Sequence, residues 1–352
     1  MSGKHGGINP WDLKEAGINP DDVKDFSVSI NPVPLPESIR RVIHSSALYR
    51  YPDSQSRALV EAVSRKYGPS IDEILAVNGT SQGIFLIAGA FISPGDSVII
   101  VGPTYSEYRD ASSVHGARIV EYRSDEKNKF RPDCRDIAEA VKRENAKILW
   151  TCSPNNPTGT WFDDEQIDYL AEVCRKQGCR MVLDEAYRCF APEGLISDRF
   201  VDGVIHLRSM TKDFCIPGLR LGWLRADTDV VERLMKRQPD WSVSAPAQDA
   251  GEACLNHLPY FQKSWLETRR QTDRMARGLS GLGLTVFPTA ANFLLVRIGD
   301  DAAVKRLSSR LWKRLIQVRD CASFGLEGCI RIGARTPEDI DFLLESIKED
   351  LS

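Results

Sequence analysis

Between about residues 57 and 226, short apolar runs alternate with longer segments whose apolar positions recur every three or four residues. The runs fall at 74–77, 97–101, 118–122, 147–151, 180–183 and 204–207, each bounded by turn-forming residues. A strand with one wet face would alternate polar with apolar; these runs do not, so they predict strands covered on both sides. The segments between them read as helices. Ile167, Leu170, Ala171 and Cys174 keep helical spacing, and Gly178 then stops that helix. The pattern predicts an α/β fold, a mostly parallel sheet between helices, as a large domain over 41–245. After about residue 245 the character changes: helical segments dominate, and shorter strands are predicted at 293–298, 315–318 and 329–332. The last helix has a clear start, with Thr336 as cap, Pro337 at the first position and Asp339 three residues after the cap. Its Ile340, Leu343, Leu344 and Ile347 form one apolar face, so 246–352 reads as a smaller α+β domain.

Composition narrows the class without naming it. Of 352 residues, 42% are apolar and 27% charged, with a formal charge of -3, which gives no reason to expect nucleic acid or an anionic membrane as partner. The longest apolar stretch, about 84–92, is roughly half of what a membrane span needs. The start, Met1-Ser2-Gly3-Lys4-His5-Gly6-Gly7, carries no apolar run of the secretory kind. Nine cysteines are scattered without Cys-x-x-Cys pairs or histidines at metal spacing, so buried free thiols in a reducing cytoplasm are expected, and no metal.

The candidate chemistry lies just after the predicted strands, where α/β sheets place their ligands. The run at 204–207 leads into Ser209-Met210-Thr211-Lys212, then Ile216-Pro217-Gly218-Leu219-Arg220-Leu221-Gly222. Lys212 and Arg220 are brought round one turn, where one can hold an aldehyde carbon and the other a phosphate. A lysine near positive charge and partly desolvated loses its proton more easily, which favours imine formation. Val182-Leu183-Asp184-Glu185-Ala186-Tyr187 ends a strand with a carboxylate able to keep a pyridine nitrogen protonated, and Tyr187 can donate to a phenolate. Taken alone, Asp184 could equally be a helix cap. Ser153-Pro154-Asn155-Asn156-Pro157-Thr158-Gly159 is a rigid turn whose asparagine can reach the same phenolate. Asn78-Gly79-Thr80-Ser81 opens an apolar helix, and N–H groups at a helix start favour phosphate. Tyr105 follows another strand end and could stack on a pyridine ring.

Taken in order, these motifs resemble those of fold-type I pyridoxal 5'-phosphate enzymes, the aspartate-aminotransferase fold, over the chain from about His5 onward. The resemblance implies that Lys212 joins the cofactor aldehyde and Asp184 meets the pyridine nitrogen. Tyr187 and Asn156 hold the phenolate, Tyr105 stacks on the ring, and Thr80, Ser81, Ser209, Thr211 and Arg220 hold the phosphate. It further implies a homodimer with shared active sites, Tyr51 of Arg50-Tyr51-Pro52-Asp53 completing the phosphate site of its partner. Residues 1–40 are then an N-terminal arm serving the small domain and the site.

Within the superfamily the chain is similar to the L-threonine-O-3-phosphate decarboxylases of cobalamin synthesis and to the related histidinol-phosphate aminotransferases. His5-Gly6-Gly7, Asp25-Phe26-Ser27, Ile30-Asn31-Pro32, Trp241-Ser242-Val243 and Val318-Arg319-Asp320-Cys321-Ala322 carry that likeness. By it, His5, Asn31, Arg319, Arg331 and Arg335 are expected to bind a small anionic amino-acid substrate. Three arginines suit a carboxylate and a phosphate together. The chain has Ser29 where the decarboxylases typically have asparagine, and no acidic residue near Thr80-Ser81-Gln82 where they have one. Decarboxylation and amino transfer both stay open. A nicotinamide dehydrogenase is disfavoured, because Gly-x-Gly-x-x-Gly after an early strand is missing.

Overall fold

The computed structural model describes residues 6–351, so His5 lies outside the described residues. Seven strands there form one twisted sheet: β1 Ile74–Val77, β2 Ser97–Gly102, β3 Arg118–Arg123, β4 Ile148–Cys152, β5 Arg180–Asp184, β6 Val204–Ser209 and β7 Gly222–Arg225. Their spatial order is β1-β7-β6-β5-β4-β2-β3. Within this sheet β7 runs antiparallel to both its neighbours, and the other pairings are parallel. The six strands read from the sequence are all present to within two residues; β7 was not read. Its Gly222-Trp223-Leu224-Arg225 follows the Arg220 turn directly, too short a run to stand out from the loop.

Two helical layers enclose the sheet, except that the edge strand β3 lacks the expected double cover: its Arg118, Glu121 and Arg123 are exposed. Helices Gly79–Phe91, Glu107–Val114 and Thr228–Met235 cover one face with Ile84, Ile87, Tyr108 and Leu234. Helices Cys134–Arg143 and Asp164–Gln177 cover the other with Ile137, Val141, Leu170 and Cys174. The second of these begins on a reciprocal cap between Asp163 and Gln166 and ends at Gly178, whose φ of 64° is the left-handed conformation a glycine accepts freely.

The small sheet joins β8 Thr285–Val286, β9 Phe293–Arg297, β10 Arg319–Asp320 and β11 Cys329–Gly333 in the order β10-β11-β9-β8. The single strand expected over 315–318 splits: Ile316–Gln317 pairs in parallel with Lys24–Asp25, and the chain then turns into β10. The final helix, Pro337–Leu351, starts as read, with the Asp339 N–H on Thr336 Oγ1 at 3.3 Å.

The expected boundary at 245/246 lies at the start of a helix. Helix Ala245–Asn256 packs into the large-domain core through Ala247, Cys254 and Leu255. The changeover comes inside the 24-residue helix Leu258–Gly281. Its Phe261 and Trp265 sit in the large-domain core, whereas Met275 and Leu279 join Phe26, Leu294, Ile330 and Leu343 in the C-terminal one. One amphipathic helix of about 36 Å is long enough to serve both cores. All nine cysteines are free thiols, and no helix among the described residues is long and apolar enough to cross a membrane.

Candidate active site

The carboxyl ends of the parallel strands converge on one cavity of about 250 Å³. Each strand delivers its residues by a different local device. Beyond β1, Gly79 takes φ +69° and opens a helix that presents Thr80 and Ser81. Its positive φ favours glycine, and a Cβ there would also lie 2.9 Å from Nη2 of Arg220 and push that guanidinium aside. Beyond β2 comes Tyr105, whose hydroxyl is 3.5 Å from Ser81 Oγ. Beyond β4, the Ser153 N–H bonds the Asp184 carbonyl at 2.9 Å, which sets the Asn156 turn beside the end of β5. Beyond β6, Ser209 and Thr211 share a 2.7 Å hydroxyl bond, and Lys212 stands on the short helix Met210–Asp213 with Nζ 5.3 Å from the Tyr187 ring centroid.

Ten residues singled out from the sequence line this cavity: Thr80, Ser81, Tyr105, Asn156, Asp184, Tyr187, Thr211, Lys212, Arg220 and Arg331. Ser209 supports it from behind through Thr211. Val28, Ser29 and Ile30 of the N-terminal arm also line it, as do Tyr108 and Cys152, which sequence reasoning missed. Tyr108 lies one helical turn past Tyr105, but nothing local marks its partner, the Asp184 carboxylate, 76 positions away.

The remaining expected residues lie elsewhere. Tyr51 is 77% exposed, stacked on Trp241 at 4.4 Å, and does not line the cavity of its own chain. Arg335 does not enter the site: its Nε donates to Asp339 at 2.7 Å, one turn along the last helix, and its Nη1 reaches the Asp25 carbonyl. Lys24 holds the same Asp339 at 2.6 Å, so the pair bracket the arm to the C-terminal helix. Asn31 is not among the residues lining the cavity; its buried amide is engaged with protein groups. Arg319 and Arg331 stand directly opposite each other on β10 and β11, 4% and 3% exposed. Arg331 donates to Asn156 Oδ1 and, at 2.6 Å, to the Ser27 carbonyl, while Arg319 donates to Ser323 Oγ at 2.7 Å.

Charge is managed closely here. Burial raises Asp184 above the ordinary carboxylate range, opposed by the Tyr108 hydroxyl and by Lys212. Burial lowers Lys212, helped by Arg220 and Arg331 and opposed by Asp184 and Asp213. Glu185 is buried too, which favours its neutral form, but Arg208 and His206 outweigh this and hold it well below the usual range. The Val201 N–H donates to His206 Nε2 at 3.0 Å, so the ring hydrogen sits on Nδ1 and faces Glu185. This donor set fits pyridoxal 5'-phosphate. There is a buried carboxylate for its ring nitrogen, a deprotonation-prone lysine for its aldehyde, the Tyr187 hydroxyl and Asn156 amide for its phenolate, and a helix start with an arginine for its phosphate.

Residues 21–347 match the family model for class I and II aminotransferases. The chain is 33% identical over 346 residues to the adenosylcobalamin biosynthesis bifunctional protein of Leptospira interrogans, covering 96% of this chain but 40% of that relative's length. It is 32% identical to the threonine-phosphate decarboxylase of Salmonella typhimurium, covering 93% of this chain and 91% of the other. It is 30% identical to the histidinol-phosphate aminotransferase of Rippkaea orientalis, covering 91% and 89%. Among solved structures, histidinol-phosphate aminotransferase from Sinorhizobium meliloti, in complex with pyridoxal-5'-phosphate, superposes with a TM-score of 0.87 at 23% identity, covering 98% of this chain and 95% of that one.

Proposed function

The chain belongs to the class I and II aminotransferases, a family dependent on pyridoxal 5'-phosphate, and from that premise we propose that it decarboxylates a small amino acid carrying a phosphate. The substrate class is that of L-threonine O-3-phosphate, whose decarboxylation yields an aminopropanol phosphate of the kind used in cobamide synthesis. The observation that carries this reading is the buried Arg319–Arg331 pair. Arg331 lines the cavity and Arg319 stands directly opposite it on the neighbouring strand, so positive charge is concentrated on that wall. Arginine binds carboxylate and phosphate alike in bidentate fashion, which suits a substrate carrying both.

When bound, the cofactor supplies an electron sink for the pair left on the substrate carbon. The residues of this chain do the rest. Lys212 is assigned to hold the cofactor and to carry a proton, since burial lowers its hold on that proton. Asp184 is assigned to keep the ring nitrogen protonated, with Tyr108 supporting its negative charge. Arg331, fixed by Asn156 and Ser27, orients one anionic group. In decarboxylation the bond from Cα to the carboxylate would break, carbon dioxide would leave, and a proton carried by Lys212 would be added at Cα.

A second reading is amino transfer. Ser29 and the neutral Thr80-Ser81-Gln82 stretch, where the decarboxylases carry asparagine and an acidic residue, favour it. Here the Cα–H bond would break instead, and Lys212 would move that proton. Incubating the cofactor-loaded protein with O-phospho-L-threonine and O-phospho-L-serine separates the two. Catalytic release of carbon dioxide is expected; its absence, with the cofactor converting to its amine form when amino donors are added, would establish the transferase.

A further inference from the structure

We propose that Asn31 is a positioning residue for Lys212, fixing the backbone from which the lysine side chain reaches into the cavity. The helix that carries Lys212, Met210–Asp213, is four residues long, so its terminal carbonyls have no partners within it. Asn31 takes two of them. Its backbone N–H donates to the Lys212 carbonyl at 2.9 Å, and its Nδ2 donates to the Asp213 carbonyl at 2.9 Å. Trp265 Nε1 adds a second donor to that same Asp213 carbonyl at 2.7 Å.

The asparagine is itself immobilised. Its Nδ2 also reaches Ser264 Oγ at 2.7 Å, while its Oδ1 accepts from the Val33 N–H at 3.1 Å and from Thr268 Oγ1 at 3.3 Å. Every hydrogen-bonding position of the amide is filled, and the residue is 1% exposed. Three segments therefore meet beneath Lys212: the arm, the lysine turn and helix Leu258–Gly281. The three residues just before Asn31, Val28, Ser29 and Ile30, line the cavity.

Reacting groups tolerate little misplacement, since a shift of about 1 Å can cost on the order of a hundredfold in rate. A looser clamp is expected to admit water to the Lys212 nitrogen, where burial disfavours a positive charge whether the nitrogen is free or joined to the cofactor. The inference rests on reading Lys212 as the cofactor lysine.

The test is a pH titration of the near-visible absorption of the cofactor-loaded protein, measured for Asn31→Ala, Trp265→Phe and the double variant, with melting temperatures alongside. Tyr260→Phe is the control, because Tyr260 ties the same helix to the arm through the Pro34 carbonyl without touching the lysine turn. The expected result is a midpoint raised by about half a pH unit or more in both single variants. The double variant should shift less than the sum of the singles, because both donors serve one oxygen. Tyr260→Phe should leave the midpoint in place. Should Asn31→Ala and Trp265→Phe lose melting temperature with an unchanged midpoint, Asn31 is structural and the proposal is overturned. An absorption band that persists in Lys212→Ala would overturn the assignment of Lys212 instead.

Discussion

The hydroxyl of Tyr108 donates to Oδ2 of Asp184 at 2.7 Å, and neither side chain has meaningful access to solvent. The other carboxylate oxygen takes the Ala186 N–H at 3.0 Å, so the charge is held from both sides. The Tyr108 ring stacks on Trp150 with centroids 5.4 Å apart, which fixes the direction of the hydroxyl. Replacing Tyr108 with phenylalanine keeps that stack and removes one donor to the carboxylate. Asp184 should then protonate more readily and grip a cationic ring nitrogen less firmly. The expected loss is about 1.5–3 kcal/mol, the range for a hydrogen bond to a charged group. Cofactor dissociation constants for the two proteins measure it, and equal values would remove Tyr108 from the site.

Arg331→Ala should raise the substrate KM at least about 30-fold, roughly 2 kcal/mol, because a buried anion loses its partner. Inorganic phosphate should raise the melting temperature of the unsubstituted protein and do so far less in the variant. A thermal shift identical in both would place the anion elsewhere.

Asp213 predicts a pH effect on stability. Burial raises its pKa to about 7, and Cys189, Lys212 and Arg208, the groups facing it, fail to offset this. Its Oδ2 meets Cys189 Sγ at 3.3 Å, while Oδ1 is buried without a hydrogen-bond partner. Between the ordinary value of 3.8 and about 7 the folded state holds a proton that the unfolded state has lost. Stability from this group is therefore full below pH 3.8 and declines as pH rises to about 7. Asp213→Asn should gain stability relative to the unsubstituted protein across that window, by a few kcal/mol at most. Denaturant titrations at pH 5 and pH 8, giving a larger advantage at pH 8, would bear this out; an equal difference at both would not.

Tyr51 tests the shared-site dimer that we propose. It projects from its own chain, 77% exposed beside Trp241, in a surface that also carries Leu48 at 79% and Tyr49 at 85%. Tyr51→Phe should weaken cofactor retention about tenfold, the scale of one hydrogen bond to a charged group. Lys212→Ala should be inactive. Mixing the two variants should recover activity above that of Tyr51→Phe alone, since one site of each mixed dimer keeps both residues. An active monomer would end that reading.

Much of the cofactor site was legible because its residues sit at strand ends, and strand ends are local. An apolar run followed by Asp184, or by Ser209-Met210-Thr211-Lys212, announces both the element and what it carries. The parallel sheet then aligns those ends whatever the loops do. The substrate side was less legible. Arg319, Arg331 and Arg335 look alike in sequence, yet Asp339, one turn beyond Arg335, draws that arginine into an ion pair away from the cavity.

The sequence by itself determined the order of elements, the doubly covered sheet and the residues at its carboxyl edge, since hydrophobic periodicity and turn chemistry act over a few neighbouring residues. Tertiary structure alone decided that Tyr108 meets Asp184, that Asn31 lies beneath Lys212, and that one helix serves two cores. Those contacts join positions tens to hundreds of residues apart. Their partners are selected by packing geometry and by the need of buried polar groups for hydrogen bonds, and neither leaves a mark on the residues alongside.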